Sequence, residues 1–422
     1  MSGVLYGSVE WCNELSPIDD SLIADILVVG GGLVGLTLAI SAAQSGFRVV
    51  VIDRDTPENS TGAEFDGRVS SVAAGSANLF KALGLWGMVS SEAQPIYQIR
   101  VSDGEAPRFL HYDSDDLGGE PMGYIVENRI LRCALYLAAK REERITLKNG
   151  TFLEKLETDA FRVSALFSDG TFVRAPLVIA ADGRVSSVRA CVGIGTTYKD
   201  YGQMGIVCTV THELDHEGIA HERFLRGGPF AILPMRGKRS SLVWTERTEL
   251  ARELLKVKAE IFLDELRWRL GDFLGDLGLA GRVWSYPLSL TMAKDLVAQR
   301  TALVGDAAHA IHPIAGQGLN LGLRDAAVLV EVIADARRLG LDIGDQGTLS
   351  RYSRWRRFDA LTMAAVTDGL NRLFAHDSEV FRVMRNVGLT AVNSNRPLKA
   401  LFRKHAMGLL GKLPKLLEGE PS

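Results

Sequence analysis

Glycines near the start of the chain are spaced for phosphate binding. Gly30, Gly32 and Gly35 form a Gly-x-Gly-x-x-Gly pattern between the apolar run ILVV and a stretch with helical spacing, and Asp53 ends the next apolar run. Glycine lets the backbone approach a pyrophosphate, a helix N-terminus offers free N–H groups, and the acid accepts hydrogen bonds from ribose hydroxyls. The pattern predicts a dinucleotide site, without distinguishing FAD from NAD.

Two later motifs also follow apolar runs. Asp182 and Gly183 come after LVIAA, and Gly305 and Asp306 come after TALV. Ligands of open α/β sheets lie beyond the carboxyl ends of the strands, although an Asp-Gly pair is often only a turn. After Asp306 a glycine-rich loop leads into a helix that we expect to begin near Leu319 or Asn320. We therefore expect this second helix N-terminus to face another part of the same ligand, for which a reduced flavin is a natural occupant.

His309 and His312 suggest a metal site, but the surrounding sequence argues against one. Asp306 is the only nearby Cys, Asp or Glu that would complete a ligand set, and Pro313 breaks the helix that would align the two histidines. A Gly-x-Ser-x-Gly nucleophile motif is also missing from the sequence. We expect no metal, and we expect the chemistry to come from an organic cofactor.

The order of elements predicts a discontinuous α/β fold. Residues 25–55 form a βαβ pattern, β-rich segments follow, a β-loop-α pattern returns, and the sequence after Asp325 is helical. Asp169 and Gly170, between alternating apolar runs, predict a hairpin turn. The predicted boundaries are nucleotide-binding parts at 20–95, 122–196 and 284–335, a sheet-rich substrate domain at 96–121 and 197–283, and a helical C-terminal region at 336–422.

Composition limits the class of protein. With 422 residues, 46% hydrophobic and 23% charged residues and a net charge of -3, the chain exceeds one ordinary core and has no global bias toward nucleic acid. The four cysteines form no C-x-x-C pattern, and the N-terminal residues do not resemble a signal or transit peptide, so we expect a cytoplasmic protein. Residues 26–43 approach the length of a membrane span, but three consecutive glycines favour a strand, a turn and a helix.

From His312 to Asp325 the sequence HPIAGQGLNLGLRD resembles the signature of the ubiquinone-biosynthesis branch of the flavin-dependent aromatic hydroxylases, which are of the para-hydroxybenzoate hydroxylase type. Segments such as GYIVENRILRCAL and ERFLRGGPFAILPM extend the resemblance over nearly the whole chain. It implies an α/β fold with a Rossmann-like FAD-binding domain, an inserted antiparallel-sheet substrate domain and a helical C-terminal tail.

The resemblance also implies roles for particular residues. The glycines Gly30, Gly32 and Gly35 would contact the FAD pyrophosphate, and Asp53 the adenosine ribose. The loop with Pro313, Gly316, Gln317 and Gly318 would lie along the isoalloxazine ring. The full set of expected cofactor contacts is Gly30, Gly32, Gly35, Asp53, Arg68, Asn128, Asp182, Gly183, Gly305, Asp306, Pro313, Gly316, Gly318, Leu319 and Asn320. No catalytic base is singled out, and Arg223 is one example of a group that could bind the phenol.

The function that the resemblance implies is hydroxylation of the aromatic ring of a polyprenylated ubiquinone precursor. FAD, O2 and reduced nicotinamide or another electron donor would take part, through a flavin C4a-hydroperoxide. The alternatives are a related flavoenzyme that acts on a soluble phenol, an isoprenoid-reducing flavoenzyme, and a non-catalytic prenyl-lipid carrier on the same scaffold. We expect no nucleic-acid partner.

The C-terminal residues 396–417 combine helical apolar spacing with basic side chains. Such a segment is typical of a helix that lies on an anionic membrane, which would place the protein peripherally on the inner membrane beside its prenylated substrate and partner proteins of ubiquinone biosynthesis. It equally fits a helix packed on the protein with a solvated basic face. The sequence leaves both interpretations open.

Overall fold

The computed structural model describes residues 22–56, 65–104, 109–311, 316–375 and 395–421. The strands are β1 (Leu22–Ile23), β2 (Ile26–Val29), β3 (Val49–Asp53), β4 (Val69–Ala73), β5 (Gln94–Ile96), β6 (Gln98–Asp103), β7 (Phe109–Asp113), β8 (Gly123–Glu127), β9 (Ile145–Asn149), β10 (Leu153–Thr158), β11 (Val163–Phe167), β12 (Phe172–Ala175), β13 (Leu177–Ala180), β14 (Thr196–His212), β15 (Ile219–Leu225), β16 (Gly228–Met235), β17 (Arg239–Arg247), β18 (Leu277–Ala293), β19 (Val297–Ala298), β20 (Thr301–Leu303) and β21 (His309–Ala310). The α-helices are α1 (Leu33–Gln44), α2 (Ala74–Ala82), α3 (Asn128–Arg141), α4 (Ser187–Cys191), α5 (Thr248–Leu254), α6 (Ala259–Leu270), α7 (Gly318–Arg338), α8 (Gln346–Ala375), α9 (Arg396–Ala406) and α10 (Lys415–Glu418).

A six-stranded sheet forms the centre of the nucleotide-binding part, in the order β19-β20-β13-β2-β3-β9. Apart from the short β19, its strands pair in parallel. Strands β2 and β13 are buried along their whole length, because helices cover both faces of such a sheet. Residues 26–43 therefore form a strand, a turn and a helix, as predicted. No helix among the described residues is long and apolar enough to cross a bilayer.

The larger sheet has eight strands in the order β21-β18-β14-β17-β16-β15-β6-β7 and is antiparallel except between β15 and β6. Its helix-covered face packs on α5 and α6 around Phe230, Trp244 and Phe262. Its other face contacts the nucleotide-binding part, since Leu233 and Met235 cluster with Val69. This α/β architecture confirms the expected fold class.

Two small sheets complete the β-structure. The sheet β1-β12-β11-β10 contains the hairpin predicted at Asp169 and Gly170, where Gly170 has a φ of 81°. The sheet β4-β8-β5 pairs Val69 with Glu127. This register places Arg68 and Asn128 side by side, with the Asn128 N–H donating to the Arg68 carbonyl at 3.0 Å.

Some elements differ from the sequence predictions. The stretch after Gly67, for which no strand was predicted, forms β4, because its residues pair with β8 before α2 begins. Strand β18 is 17 residues long and crosses the predicted boundary at 283/284, since it pairs with β14 along most of its length. The division into domains remains a prediction, and β18 continues the large sheet beyond the expected boundary.

The described C-terminal elements are helical, as expected, and the end of the chain packs on the protein. Met407 and Leu409 join a cluster with Leu110 and Tyr112. Further on, Leu416 and Leu417 join the main core, and their burial fixes the last turn of the chain, α10. In α9, by contrast, Leu401 and Phe402 are exposed.

Candidate active site

The first glycine loop is held in a conformation that side chains would not allow. Gly30 has a φ of 108°, and a Cβ atom there would lie 2.3 Å from the carbonyl oxygen of Ala181. A Cβ atom on Gly35 would lie 1.9 Å from the Gly30 carbonyl oxygen. By contrast, a Cβ atom on Gly32 would meet no protein atom within 4 Å. The loop thus packs tightly on one side and faces open space at Gly32.

Helix α1 begins directly after this open space. Gly32 is its N-cap residue and provides no side-chain cap, and the first turn has no acidic residue. Its first N–H groups and the positive end of its dipole are therefore available to an anion. Asp53 lies across the loop at the end of β3, where its Oδ2 accepts a hydrogen bond from the Gly31 N–H. Burial raises the pKa of Asp53, although N–H groups of Asp55 and Gly31 oppose that shift.

The Asp182 motif lies beside the first loop, because β13 and β2 are neighbouring parallel strands. A Cβ atom on Gly30 would be 2.7 Å from the Asp182 nitrogen. The Asp182 Oδ2 accepts hydrogen bonds from the N–H and hydroxyl of Ser187 at 2.7 and 2.9 Å. Its Oδ1 is buried without a hydrogen-bond partner among the described residues. Such an atom needs an outside donor, because a buried polar group without a partner is costly.

The third motif meets the first one directly. A Cβ atom on Gly305 would lie 3.4 Å from Val34 Cγ2, inside the first glycine motif, and one on Gly322 would lie 2.7 Å from the same atom. Asp306 is exposed to solvent, yet burial by the surrounding protein raises its pKa against the attraction of Arg184. This combination is expected on the floor of a cleft. The two glycine junctions, far apart in sequence, are therefore adjacent in the fold.

A buried ionic group fixes the Gly305 loop. Asp325 Oδ2 accepts from the Gly305 N–H at 2.9 Å and lies 2.7 Å from His309 Nε2, while Oδ1 accepts from Arg356 Nε at 2.6 Å. Burial alone would raise the pKa of Asp325, but His309 and Arg356 hold it below its usual value. His309 therefore has Asp325 as its electrostatic partner. His312 lies outside the described residues.

The glycine-rich loop before α7 contacts three parts of the chain. A Cβ atom on Gly316 would lie 3.0 Å from Ser71 Cβ, and Gln317 Nε2 donates to the Ala406 carbonyl at 3.4 Å. A Cβ atom on Gly318 would meet open space. Leu319 packs against the main core. Pro313 lies outside the described residues, so its predicted place along the ring remains a prediction.

The side chain of Asn320 has a mainly structural role. Its Oδ1 accepts from the Ala73 N–H at 2.9 Å and from the Ser76 hydroxyl at 2.8 Å, and its Nδ2 donates to the Ser71 carbonyl at 2.9 Å. These bonds attach the start of α7 to β4 and α2. A cofactor contact from Asn320 would therefore come from its backbone N–H.

Arg68 and Asn128 lie together, and the structure adds a third residue that sequence reasoning missed. Arg68 pairs with Asp66 at 2.7 Å and lies 5.2 Å from the Trp284 ring centre. Burial, followed by repulsion from Arg68, lowers the pKa of Arg132. Arg132 makes no hydrogen bond or ion pair with the described residues. The sequence feature that could have identified Arg132 is its position one helical turn after Asn128 on α3.

The large sheet presents its open face to the cleft. Gly205 and Tyr286 are paired across β14 and β18, and burial raises the pKa of Tyr286 while Arg184 opposes the shift. Arg223 faces the other way: its Nη1 donates to the carbonyls of Arg269 and Leu270 at 2.8 and 3.0 Å, at the end of α6. The expectation that Arg223 binds a phenol is therefore wrong, because the alternation of β15 directs its guanidinium to the helix-covered face.

Comparison with known proteins identifies the family. The model of the family described as FAD binding domain matches residues 23–365. Ubiquinone hydroxylase UbiL of Rhodospirillum rubrum is 50% identical over 403 residues, which cover 94% of each protein. The chain belongs to the FAD binding domain family. The 3-demethoxyubiquinol 3-hydroxylase of Escherichia coli is 34% identical over 91% of this chain and 98% of its own length. The human ubiquinone biosynthesis monooxygenase COQ6 is 30% identical over 94% of each.

Solved structures of low sequence identity share the fold. The p-nitrophenol 4-monooxygenase PnpA of Pseudomonas putida has a TM-score of 0.77 at 19% identity, covering 93% of this chain and 99% of its own. The flavin-dependent monooxygenase PieE, solved with FAD and substrate, has a TM-score of 0.70 at 20% identity, covering 88% of this chain and 72% of its own. The protein is an FAD-dependent monooxygenase, with O2 as its second substrate and a reduced electron donor.

The described residues fit FAD. The open space at Gly32 lies before the free end of α1, where a pyrophosphate would sit, and the unpartnered Asp182 Oδ1 lies at the same sheet edge. The open space at Gly318 lies before the free end of α7, whose first turn also has no acidic residue. Because Gly305 lies against Val34, the two glycine junctions are side by side, as an extended dinucleotide that reaches both would require.

Proposed function

We propose that this FAD-dependent monooxygenase hydroxylates the aromatic ring of a polyprenylated phenol in ubiquinone biosynthesis. The observation that carries the proposal is the 50% identity to a ubiquinone hydroxylase over 94% of both chains. Reduced nicotinamide is the electron donor that we propose. Asp182 and Gly183, at the edge of the same cleft, support a contact with the donor as well as with FAD.

Some residues of the chain would bind the cofactor, and others would protect the reaction from water. The amides of α1 hold the pyrophosphate, Arg68 and Arg132 supply positive charge, and Asp53 accepts from the ribose. FAD, once reduced, supplies the electrons with which O2 is activated for transfer of one oxygen atom to the ring. The Gly316 to Gly318 loop and the N-terminus of α7 would hold the flavin end of FAD and would stabilise negative charge there. The open face of the large sheet covers the ring and excludes water.

The proposed alternatives are less well supported. Hydroxylation of a soluble phenol has in its favour the likeness to PnpA, which at 19% identity concerns the fold alone. A prenyl-lipid carrier has no need for the segment from Gly316 to Asn320, in which the Asn320 side chain accepts two hydrogen bonds and donates two. The same cleft serves an isoprenoid-reducing flavoenzyme, and the products in the test below separate that activity from hydroxylation.

We also propose that α9 contacts the anionic surface of the inner membrane, where a polyprenylated substrate resides. Leu401 and Phe402 are adjacent on α9 and keep 49% and 39% of their surface exposed. Lys404 is exposed beside them, and Lys399 is half-buried on the same helix. Exposed apolar side chains flanked by lysines are complementary to anionic headgroups and the acyl chains below them. Partner proteins of ubiquinone biosynthesis would meet the enzyme on that surface.

Two measurements test the enzymatic proposal. Purified protein is expected to be yellow and to show flavin absorbance, or to acquire it on reconstitution with FAD. Deletion of the gene is expected to cause a quinone precursor that lacks a ring hydroxyl to accumulate, as seen by mass spectrometry of extracted lipids. Normal quinone in the deletion strain would contradict the substrate, and a reduced-isoprenoid deficit would favour the reductase alternative.

A further inference from the structure

Glu222 lies on the face of the large sheet that is turned toward the cofactor cleft. In β15 it is paired with Ala231 of β16 and Val101 of β6, while its neighbours His221 and Arg223 are paired with Ile232 and Phe230. Ile232 and Phe230 belong to the helix-covered core. Because successive side chains of a strand alternate between the two faces, Glu222 points away from that core.

No partner within the described chain neutralises the Glu222 carboxyl. It has no hydrogen bond or ion pair with the described residues. Its side chain keeps partial access to solvent, although burial raises the pKa of Glu222 to about 8. A group that is surrounded by protein and still reachable lies on the wall of a cleft. A buried acid without a partner is costly to keep, which points to a function rather than to stability.

A short series of contacts connects Glu222 to the loop from Gly316 to Gly318, which we call the flavin loop after its proposed role. Val101, its pair on β6, packs against the cluster that includes Ala74. The adjacent Ala73 N–H donates to Asn320 at 2.9 Å, and Asn320 also bonds the Gly316 carbonyl at 3.4 Å. These contacts place Glu222 on the side of the large sheet that packs toward the start of α7.

Among the side chains that the structure describes, few ionisable groups face Glu222 from the elements around it. On β16 the same face carries Pro229, Ala231 and Leu233, none of which titrates. Asp103 is two residues beyond Val101 on β6, and on β7 burial raises the pKa of Tyr112 to about 12. On α8, which also packs against β15, the last ionisable side chain that the structure describes is Asp359, and it pairs with Arg356 and Arg324.

We propose that Glu222 is the catalytic base that removes the phenolic proton of the substrate ring, a role that rests on the proposed function. The O–H bond of the phenol breaks, its proton forms an O–H bond with the Glu222 carboxylate, and the electron pair stays on the phenolate oxygen. No oxidation or reduction occurs in this step. The phenolate has a more electron-rich ring, and such a ring accepts an electrophilic oxygen atom more readily than the neutral phenol does.

The acid strengths of the phenol and of Glu222 favour this proton transfer. A free phenol has a pKa of about 10, as the tyrosine side chain does, and an ordinary glutamate is far too weak a base for it. Burial moves the pKa of Glu222 toward that of the phenol. The smaller difference between the two pKa values makes the proton transfer easier. Glu222 also remains partly ionised near neutral pH. The rate of hydroxylation is therefore expected to rise with pH up to about 8.

The experiment compares the FAD-loaded wild type with the variants Glu222→Gln and Glu222→Asp. Glu249→Gln, an exposed position on α5, is the matched control. The substrate is 2-farnesylphenol in detergent, supplied with reduced nicotinamide and O2. Hydroxylated product, hydrogen peroxide and FAD affinity are measured from pH 6 to 9. In parallel, a farnesylated 4-nitrophenol reports ionisation of the bound phenol through its absorbance.

The expected results distinguish this role from a structural one. Glu222→Gln should bind FAD as the wild type does, lose roughly 100-fold or more of its hydroxylation rate, lose the rise toward pH 8 and release hydrogen peroxide instead. Glu222→Asp should restore part of the rate. An unchanged rate and pH profile in Glu222→Gln would overturn the role of Glu222 and leave the proposed function standing. If the wild type forms no product, the proposed function fails, and ionisation of the bound nitrophenol then decides on Glu222: a smaller ionised fraction at a given pH in Glu222→Gln than in the wild type supports the base, and equal fractions refute it.

Discussion

At Gly32 the absence of a side chain leaves room for a ligand and is not required by the fold. Its φ of -72° suits any residue, and a Cβ atom there would meet no protein atom within 4 Å. Gly32→Ala should therefore leave the melting temperature of the FAD-free protein unchanged. Its methyl group would occupy the space before α1, so FAD affinity should fall about tenfold or more.

FAD affinity in this comparison is measured by fluorescence quenching and stability by thermal unfolding. Gly87→Ala is the matched control, because its Cβ atom would also meet open space but lies in a turn beyond α2 rather than at the start of α1. Equal FAD affinity in the two variants would show that the pyrophosphate does not lie against Gly32.

Glu222 makes a second residue-scale prediction, which concerns stability. Burial raises its pKa from 4.5 in the unfolded chain to about 8 in the fold. The fold therefore favours the protonated form, so the contribution of Glu222 to stability is complete below pH 4.5 and is lost as the pH rises to about 8. Glu222→Gln cannot ionise, and its melting temperature should exceed that of the wild type by about a few degrees at pH 8.

The measurement is thermal unfolding of the FAD-loaded proteins between pH 5 and 9. The difference between Glu222→Gln and wild type should grow across this range, whereas Glu249→Gln should follow the wild type throughout. A difference in melting temperature that stays constant would mean that Glu222 is already ionised in the fold at the lowest pH measured. That result would contradict a raised pKa of Glu222.

At the scale of elements, two side chains of α7 fasten the C-terminal segment: Glu331 Oε2 accepts from the Lys415 N–H at 2.9 Å, and Arg324 makes the larger set of bonds. Arg324 Nη2 donates to the carbonyls of Leu410 and Lys412 at 2.8 and 3.0 Å, and its Nε lies 3.2 Å from Asp359 Oδ2. Asp359 also binds Arg356, which holds Asp325 and through it the Gly305 loop. The same helix therefore positions the flavin cleft and the end of the chain.

Arg324→Ala should release that end. Hydrogen bonds to a charged group contribute about 1.5–3 kcal/mol each, so local opening of residues 407–417 should become roughly ten- to a hundredfold more frequent. Hydrogen exchange followed by mass spectrometry measures this directly. Arg338→Ala, at the exposed end of the same helix, should leave the exchange of that segment unchanged. Slow exchange in Arg324→Ala would place the attachment elsewhere, for example in the packing of Leu416 and Leu417.

Periodicity predicts elements better than it predicts what their side chains do. The βαβ unit, the hairpin at Asp169 and the order of nucleotide-binding segments follow from apolar spacing and glycine chemistry. The direction of Arg223 does not, because it depends on the register of β15 with β16. The partners of Asn320 and Asp325 were equally hidden, since they lie on α2, β4 and α8, distant in sequence. Local pattern shows which residues can do chemistry, and long-range pairing decides which of them reach the site.

At the scale of the whole molecule, the two interpretations of the basic tail apply to different parts of it. Residues 407–417 pack on the protein through Met407, Leu416 and Leu417. Helix α9 keeps Leu401 and Phe402 exposed beside Lys404, while Arg403 pairs with Asp116 at 3.1 Å. Gln317 of the flavin loop bonds the last residue of α9, Ala406. The membrane contact that we propose for α9 would therefore deliver a prenylated substrate next to the cofactor cleft.

Replacement of Leu401 and Phe402 by serine should weaken binding to vesicles that contain anionic phospholipid. The loss should be about tenfold or more, because burial of the two side chains contributes about 1.5–3 kcal/mol each. Vesicle flotation measures the bound fraction, and wild-type binding should fall with added salt, since lysines contribute part of the attraction. The matched control replaces Leu339 and Leu341, which are also exposed but lie at the far end of α7. If both double variants bind as the wild type does, α9 is not the membrane contact. If α9 is the contact, its double variant should hydroxylate a detergent-dispersed substrate normally and lose activity only on substrate presented in vesicles.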